Sequence, residues 1–259
     1  MKRVFLKVAY DGTDFHGWQL QPEVRTVEGE LNRAIKELTG ETVNVIGASR
    51  TDAGVHALGN VAVFDTDSAI PPERFSYALN THLPDDVKVV ESFEVPPGFH
   101  PRKTEVEKTY EYKIDLSAIP NPLRRRDSWN CPYALDVEKM REAAVYLTGE
   151  HDFVSFCSVH TQAESTVRCI YSVDVLKTTD TELKIVVKGN GFLYNMIRII
   201  AGTLAEVGRG SREPAWVKEA LEGKDRTLAG PTAPPEGLCL KEIVFKEPAV
   251  QNIKEKSGE

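Results

Sequence analysis

TVNVIGASRTDAGVHALGNVAVFDT, residues 42–66, decides the fold because it places two strand-like runs around a turn. The runs are TVNVIGAS (42–49) and GNVAVFDT (59–66), and each predicts a strand. RTDAG between them has the composition of a turn, in which the aspartate folds back on its own backbone and the glycine takes a positive φ. The stretch therefore predicts a hairpin with Asp52 at its tip.

Outward from this hairpin, the first half of the chain reads β-α-β-β-α-β. Alternation in RVFLKVAYDG (3–12) predicts a strand with Val4, Leu6 and Val8 on one face. A helix is expected over 27–39, with Thr26 as its N-cap and Gly40 at its end. A second helix over 71–83, which begins with prolines, and a strand over 86–95 complete the half.

The same order of elements recurs after a proline-rich and charged linker at 96–108. The predicted elements are a strand at 109–116, a helix at 136–151, a hairpin at 165–190, helices at 192–208 and 214–223, and a strand at 237–245. This repetition predicts an α+β fold of two ferredoxin-like lobes that share a mostly antiparallel sheet, with an active-site cleft between them. The predicted lobes are 1–104 and 105–246, followed by a polar, disordered tail at 247–259.

Composition limits the classes of function. The formal net charge of -7 argues against a nucleic-acid partner on composition alone, although RRR (124–126) and HPRK (100–103) are local basic clusters. No apolar run approaches the roughly 20 residues of a membrane span, so no membrane partner is predicted. The four cysteines lack CxxC spacing and the six histidines lack HxxxH spacing, which predicts reduced thiols, a cytoplasmic protein and no metal site. Phosphate and dinucleotide fingerprints are missing as well, so no cofactor is predicted.

The turn at Asp52 has two interpretations. Turn chemistry alone explains RTDAG, but it does not require the small residues Ala48, Ser49 and Ala53, which leave room for a bulky substrate. On the functional interpretation, Asp52 is a nucleophile, a general base or a metal ligand. The metal ligand is the weakest of these because no second ligand stands at suitable spacing.

Arg198 and Tyr110 also have two interpretations each. Arg198 lies in the apolar stretch NMIRIIAG (195–202), where it either snorkels to the surface or is buried and paired with a carboxylate. We expect it to pair with Asp52, lower the pKa of that carboxyl and keep it ionised. Alternation in KTYEYKI (108–114) puts Tyr110 on an aromatic face, which serves either core packing or stacking on a planar base.

At this point the chain resembles a known family. ASRTDAGVHALGNVAVF (48–64) is similar to the signature of the bacterial tRNA pseudouridine synthase A family. Similar blocks follow in the family's order, namely YDGTDFHGWQLQP (10–22), FHPRKTEVEKTYEYKI (99–114), LTGEHDFVSFC (147–157), GNGFLYNMIRIIAGTLAEVGRG (189–210) and KDRTLAGPTAPPEGLCL (224–240). The resemblance covers nearly the whole chain.

The resemblance implies a homodimer that isomerises uridine to pseudouridine in the anticodon arm of tRNA, at uridines 38, 39 and 40, without cofactor or metal. It implies that Asp52 is the catalytic aspartate, that Tyr110 stacks on the target base and that Arg198 is the basic partner of the aspartate. Leu238 falls where the family has an apolar pocket residue. Whether Asp52 attacks the sugar, attacks the base or removes a sugar proton stays open.

An RNA substrate gives the basic residues a use. Arg50 is a candidate substrate contact, and the candidates for phosphate contacts are Arg25, Lys103, Arg124, Arg125, Arg126 and Arg168. A solvated surface loop is the alternative for RRR. Three rival functions are an RNA-binding module without catalysis, a carboxylate hydrolase that needs a second acid, and a metal-dependent enzyme.

Overall fold

The computed structural model describes residues 1–159 and 163–246, and within them the chain is a mixed α+β protein. Within the described residues it divides into two compact units, 1–107 with 240–246, and 108–239. This division differs from the expected one because it assigns 240–246, most of the last strand, to the first unit. The predicted disordered tail at 247–259 lies outside the described residues.

The first unit follows the expected order of elements. They are β1 (Lys2–Tyr10), α1 (Val27–Thr39), β2 (Ile46–Gly47), β3 (His56–Thr66), α2 (Phe75–Leu79) and β4 (Val87–Val95). β1 pairs antiparallel with both β3 and β4, while β2 pairs antiparallel with β3. The hairpin around Asp52 is thereby confirmed.

Local signals determine α1. The Thr26 side chain accepts a hydrogen bond from the Gly29 N–H, and Gly40 ends the helix with a φ of 77°. The apolar face of the helix is buried, as are Val4, Leu6 and Val8 of β1 on the face that alternation predicted. These elements form the core beneath the hairpin.

The expected strand at 42–49 is wrong in length, since only Ile46–Gly47 joins the sheet. Val45 N–H donates 3.0 Å to the side-chain oxygen of Asn32 on α1 instead of to a strand. A helix side chain thus replaces the ladder partner, and the chain joins the sheet late, at Ile46.

The second unit contains the remaining helices. Its elements are β5 (Val106–Asp115), β6 (Trp129–Asn130), α3 (Val137–Val145), β7 (Gly149–Asp152), β8 (Val167–Thr179), β9 (Glu182–Gly189), α4 (Met196–Gly208) and α5 (Trp216–Gly223). The first two residues of β5 belong to the first unit, and the strand lies in the second unit from Lys108 onward. β5, β9, β8 and β7 are neighbours in that order, and each pair is antiparallel. β6 pairs parallel with β5. A last strand, β10 (Leu238–Phe245), begins in this unit and ends in the first.

Two predicted helices of this unit are shorter than expected. The helix predicted over 136–151 ends at Val145. Residues 149–152 form β7, which pairs with β8 and begins at Gly149, whose φ is 109°. The helix predicted from 192 begins at Met196 because Asn195 has a left-handed backbone, with φ of 60°. A helix cannot run through a residue in that conformation.

Candidate active site

Asp52 lies in the loop 48–55 that joins β2 to β3, and it is half-exposed. Thr51 and Ser49 are buried, whereas Arg50 between them is exposed. The loop therefore has a buried side that anchors it and an open side that carries charge. Asp52 stands at the end of the buried segment.

Backbone hydrogen bonds hold this loop against the segment that follows β1. Trp18 N–H donates to Thr51 O over 3.1 Å, and Gly54 N–H donates to Phe15 O over 3.2 Å. These bonds bracket Asp52 on both sides. Its backbone is fixed by the sheet-connecting segment rather than by the turn alone.

The turn itself has the expected chemistry. Val55 N–H donates to Asp52 O over 3.2 Å, and Gly54 has a φ of 77°. The turn interpretation of RTDAG is therefore confirmed. This turn contact is compatible with a catalytic role, because it is made by the backbone carbonyl of Asp52.

Two glycines of YDGTDFHGW (10–18) permit the close approach to the loop. A Cβ on Gly12 would lie 2.0 Å from Val55 O, and a Cβ on Gly17 would lie 2.7 Å from Thr51 O. Only glycine fits at such distances. These glycines are the sequence signal that the segment touches the Asp52 loop, which the family resemblance alone does not reveal.

A small pocket of about 60 Å³ opens beside the loop. Its lining residues are Trp18, Gln19, Glu28, Val45, Gly47, Arg50 and Arg102. Arg102 is exposed and was not among the predicted site residues, whereas its exposed neighbour Lys103 was. The local basic cluster HPRK (100–103) was the available sequence signal for Arg102.

Tyr110 lies on β5 in the second unit, opposite Val187 of β9. Its ring meets Phe192 edge-on, with centroids 5.2 Å apart and planes at 85°. Tyr110, Tyr112 and Ile114 are buried on one face, as alternation predicted. Phe192, which is only partly buried, thus contributes an edge-to-face contact to the packing of the Tyr110 ring.

Arg198 is in the first turn of α4 and is partly buried. Its Nε donates to Ala233 O over 2.7 Å, and its Nη1 donates to Asn195 Oδ1 over 2.8 Å. Both acceptors are neutral oxygens, so these two contacts direct the guanidinium without neutralising its charge. This geometry excludes a freely snorkelling side chain.

Leu238 is 5% exposed and begins β10 directly after Gly237. A Cβ on Gly237 would lie 2.7 Å from Cζ of Tyr112, whose hydroxyl donates 2.7 Å to Pro234 O. Burial raises the pKa of the Tyr112 phenol, which stays protonated as a donor. Segment 233–238 thus links Arg198, Tyr112 and Leu238 inside the second unit.

Comparison with known proteins gives these residues a context. A family model described as tRNA pseudouridine synthase matches residues 7–102 and 143–246. The tRNA pseudouridine synthase A of Brevibacillus brevis is 48% identical over 245 residues, which cover 95% of this chain and 100% of that protein. The protein of the same name from Acetivibrio thermocellus is 49% identical with the same coverage. The chain belongs to the tRNA pseudouridine synthase family.

Membership confirms the family that the motifs indicated and makes the chain an isomerase that acts on tRNA. Among solved structures, a chain of a Cbf5-Nop10-Gar1 complex is 12% identical, with 88% of this chain and 69% of that chain covered. The TM-score of that match is 0.32, which is too low to support any argument.

The predicted site residues of the synthase fall in both units. Asp52 and Arg50 belong to the first, while Tyr110, Arg198 and Leu238 belong to the second. Arg198 and Leu238 lie at segment 233–238, whereas Tyr110 lies on β5 beside Phe192. The pairing of Asp52 with Arg198 stays a prediction.

Two of the proposed phosphate contacts are engaged with carboxylates. Arg25 donates to Asp86 over 2.7 and 2.8 Å and to Glu30 over 2.9 Å. Hydrogen bonds to Asp86 raise the pKa of Arg25 further above its usual value. Arg124 forms an ion pair with Glu182 at 2.8 Å. These pairs favour structural roles for both arginines.

The other basic candidates differ in their surroundings. Lys103 and Arg125 are exposed, and Arg125 Nη1 donates 2.9 Å to the neutral oxygen of Pro122. Arg126 is exposed as well. Arg168 is partly buried and donates to the carbonyl oxygens of residues 165 and 167. The exposed side chains are the better placed for phosphate groups.

Two further properties concern the described residues alone. Across 1–159 and 163–246, no helix combines the length and apolar character that crossing a membrane requires. In the same ranges, no cluster of three or more histidine, cysteine, aspartate or glutamate side chains could hold a metal ion. All four cysteines are free thiols.

Proposed function

We propose that the enzyme converts uridine to pseudouridine in the anticodon stem-loop of tRNA, with Asp52 as its catalytic carboxylate. The observation that carries the proposal is the setting of Asp52, a half-exposed acid at the end of a buried, doubly anchored segment. An acid that served only a turn would not need this support. Catalytic groups, in contrast, depend on such rigid placement.

The reaction is an isomerisation, so its atoms balance within the substrate. The C1′–N1 bond breaks and a C1′–C5 bond forms, while N1 gains a proton and C5 loses one. No oxidant, reductant or group donor is consumed. Side chains that move protons and stabilise charge can meet these requirements, and we propose no cofactor.

The uracil must leave the RNA stack before it can turn, at a cost of a few kcal/mol. In the proposal, Tyr110 stacks on the flipped base, with its ring held by Phe192. Leu238 supplies an apolar wall to the same base. The Tyr110 hydroxyl then helps to remove the C5 proton.

Asp52 must be ionised to attack the sugar, attack the base or remove a sugar proton. We propose Arg198 as the cation that keeps it so, because a guanidinium close to a carboxylate lowers the pKa of that carboxyl. The two neutral acceptors of Arg198 support this role, since they orient the guanidinium.

We propose that the enzyme works in the cytoplasm as a homodimer on the anticodon arm. A dimer doubles each basic surface, which lets an acidic chain present a positive groove to RNA. Arg50, Lys103, Arg125 and Arg126 are the exposed residues that we assign to tRNA. Sedimentation of the purified protein with and without tRNA tests the dimer.

Tritium release from the C5 position of uridine in a labelled tRNA transcript tests the function. We expect release with the native enzyme and none with Asp52→Asn or Asp52→Ala, although both variants still bind tRNA. Asp67→Asn is the matched control, because that exposed acid of the same unit forms an ion pair with the chain's N-terminus.

Turnover by both Asp52 variants would remove Asp52 from the catalytic role. Binding without any release by the native enzyme would instead favour a binding module. Release from uridines outside the anticodon arm would contradict the proposed target, and mapping the modified positions decides this point.

A further inference from the structure

Three buried polar side chains lie beneath the Asp52 loop in the first unit, and the chemistry described so far does not use them. They are Tyr10 of β1, Asn60 of β3 and Thr51 of the loop, with exposures of 5%, 0% and 7%. Buried polar groups destabilise a core unless they are hydrogen-bonded. Each of these three side chains should therefore have hydrogen-bond partners inside the fold.

Asn60 connects the sheet to the loop. Its Nδ2 donates to the Tyr10 hydroxyl over 3.1 Å and to Ser49 O over 3.0 Å. Its Oδ1 accepts from Val61 N–H over 2.9 Å, which turns the amide nitrogen toward the other two. One side chain thus holds both the loop backbone and the tyrosine.

Tyr10 completes the connection. Its hydroxyl is 2.7 Å from Thr51 Oγ1, and either group can donate. The Tyr10 ring lies beside the Trp18 ring, with centroids 6.0 Å apart. The backbone N–H of Trp18 donates to Thr51 O. Thr51, the residue before Asp52, is therefore held through both its side chain and its backbone.

A register shift places these residues together. Val8 of β1 pairs with Asn60, whereas Tyr10 pairs with Ala57, so β3 has one residue more than β1 in this interval. Such an irregularity redirects side chains next to functional sites. Here it accompanies the turn of Tyr10 and Asn60 toward the loop.

We propose that Tyr10 and Asn60 are positioning residues that set the geometry of Asp52 through Ser49 and Thr51. The inference rests on the proposed catalytic role of Asp52. Displacing a catalytic group by about 1 Å can lower a rate about 100-fold. Loss of this network should therefore reduce turnover more than it reduces substrate binding.

Tyr10→Phe removes the hydroxyl and keeps the ring. We expect kcat for tritium release to fall about 10- to 100-fold, with the Kd for tRNA unchanged. Thr51→Val removes the other half of the same hydrogen bond, and it should give a similar fall. The double variant should be no slower than Tyr10→Phe, because Tyr10→Phe already removes the hydrogen bond to Thr51 along with the one that Asn60 donates.

Ser92→Ala is the matched control for stability. Ser92 of β4 is also buried in the first unit, and its Oγ accepts from Ser76 N–H over 2.8 Å. Ser92→Ala should lower the free energy of unfolding about as much as Tyr10→Phe does, and it should leave kcat of the folded fraction unchanged. A purely structural role for Tyr10 would make the two variants alike in kcat.

Native kcat in Tyr10→Phe, or additive losses in the double variant, would overturn the inference. If Asp52→Asn is inactive in the same assay while Tyr10→Phe is fully active, only the positioning role fails. If Asp52→Asn and Asp52→Ala are both active, the proposed catalytic role of Asp52 fails, and the premise of this inference fails with it. Should Tyr10→Phe not fold, Thr51→Val against Ser92→Ala decides the question.

Discussion

Asn195 Oδ1 accepts a hydrogen bond from Arg198 Nη1 over 2.8 Å, and Asn195 itself holds a left-handed backbone with φ of 60°. The residue thus both starts α4 and directs the guanidinium three positions later. For a residue with a side chain, such a backbone costs about 1–2 kcal/mol, although asparagine tolerates it better than most residues do.

Substitution at Asn195 should separate these two tasks. Asn195→Gly keeps the left-handed backbone and loses the acceptor, so we expect native stability with kcat lowered about tenfold. Asn195→Ala should be less stable than Asn195→Gly by about 1 kcal/mol, with a similar kcat. Denaturant unfolding and tritium release measure both quantities. Equal stability of the two variants would contradict a role for the backbone conformation.

The proposed pairing of Asp52 with Arg198 predicts both a loss of turnover and a change in its pH dependence. Arg198→Gln should lower kcat about 100-fold or more, because it removes the charge that stabilises the carboxylate. Arg198→Lys keeps the positive charge but loses the planar fork of N–H donors, so its kcat should lie between that of the native enzyme and that of Arg198→Gln. Arg198→Gln should also move the acid limb of the pH profile of kcat to higher pH, because Asp52 loses the cation that keeps it ionised. An acid limb at the native position would show that Arg198 acts independently of Asp52.

Gly12 predicts a steric effect on the loop. A Cβ there would lie 2.0 Å from Val55 O, which is backbone, so Gly12→Ala must displace the Asp52 turn. We expect a loss of about 1–3 kcal/mol in the free energy of unfolding, together with reduced kcat. Gly98→Ala is the control, since a Cβ at Gly98 meets nothing within 4 Å. Unchanged activity in Gly12→Ala would mean that the turn adapts without moving Asp52.

Acid should weaken the first unit through Asp65. Arg3 donates from Nε to Asp65 Oδ1 over 2.8 Å and from Nη2 to Oδ2 over 2.6 Å, which lowers the pKa of the carboxyl. A carboxyl whose pKa is lower in the folded state stabilises the fold above its unfolded value, near 4, and loses this effect as pH falls through the folded value.

Asp65→Asn should therefore be less stable than the native enzyme at pH 7, and the difference should shrink below about pH 4. Unfolding by denaturant at several pH values measures this. Asp67→Asn, which removes an exposed ion pair, should change little at any pH. A difference that persists at about pH 2 would show that Asp65 acts through packing rather than charge.

Local signals explain why some elements could be predicted and others could not. The sequence of α1 contains its own cap at Thr26 and its own stop at Gly40, so its bounds match the expected 27–39. The strand at 42–49 failed because Val45 bonds to Asn32 on a helix, which is a tertiary contact. The predicted start of α4 was wrong because Asn195 takes a left-handed backbone conformation that its neighbours in sequence do not require.

The candidate site divides in the same way. Asp52 could be selected because it is surrounded by small residues that the turn itself does not require. Tyr10 and Asn60 could not, since a tyrosine and an asparagine on strands are ordinary in sequence. Only the register of β1 on β3 brings them to the loop. The carboxylate partners of Arg25 and Arg124 were hidden for the same reason.

Adjacent arginines at 124 and 125 provide the sharpest test of the RNA surface. Arg125 is exposed and donates to a neutral carbonyl oxygen, whereas Arg124 is partly buried and paired with Glu182. Removing a side chain that binds one RNA phosphate reduces the slope of log affinity against log salt by about 1. We expect this reduction in Arg125→Ala and weaker binding of tRNA at low salt.

Arg124→Ala should instead lower stability and leave the salt slope unchanged, because its charge is engaged within the protein. Filter binding of tRNA across a range of salt concentrations measures the slopes, and thermal unfolding measures stability. The same slope in both variants would contradict the assignment, since neighbouring positions in one loop share every general effect of a missing charge. Only the difference in their partners separates them, and a phosphate contact at 125 alone produces unequal slopes.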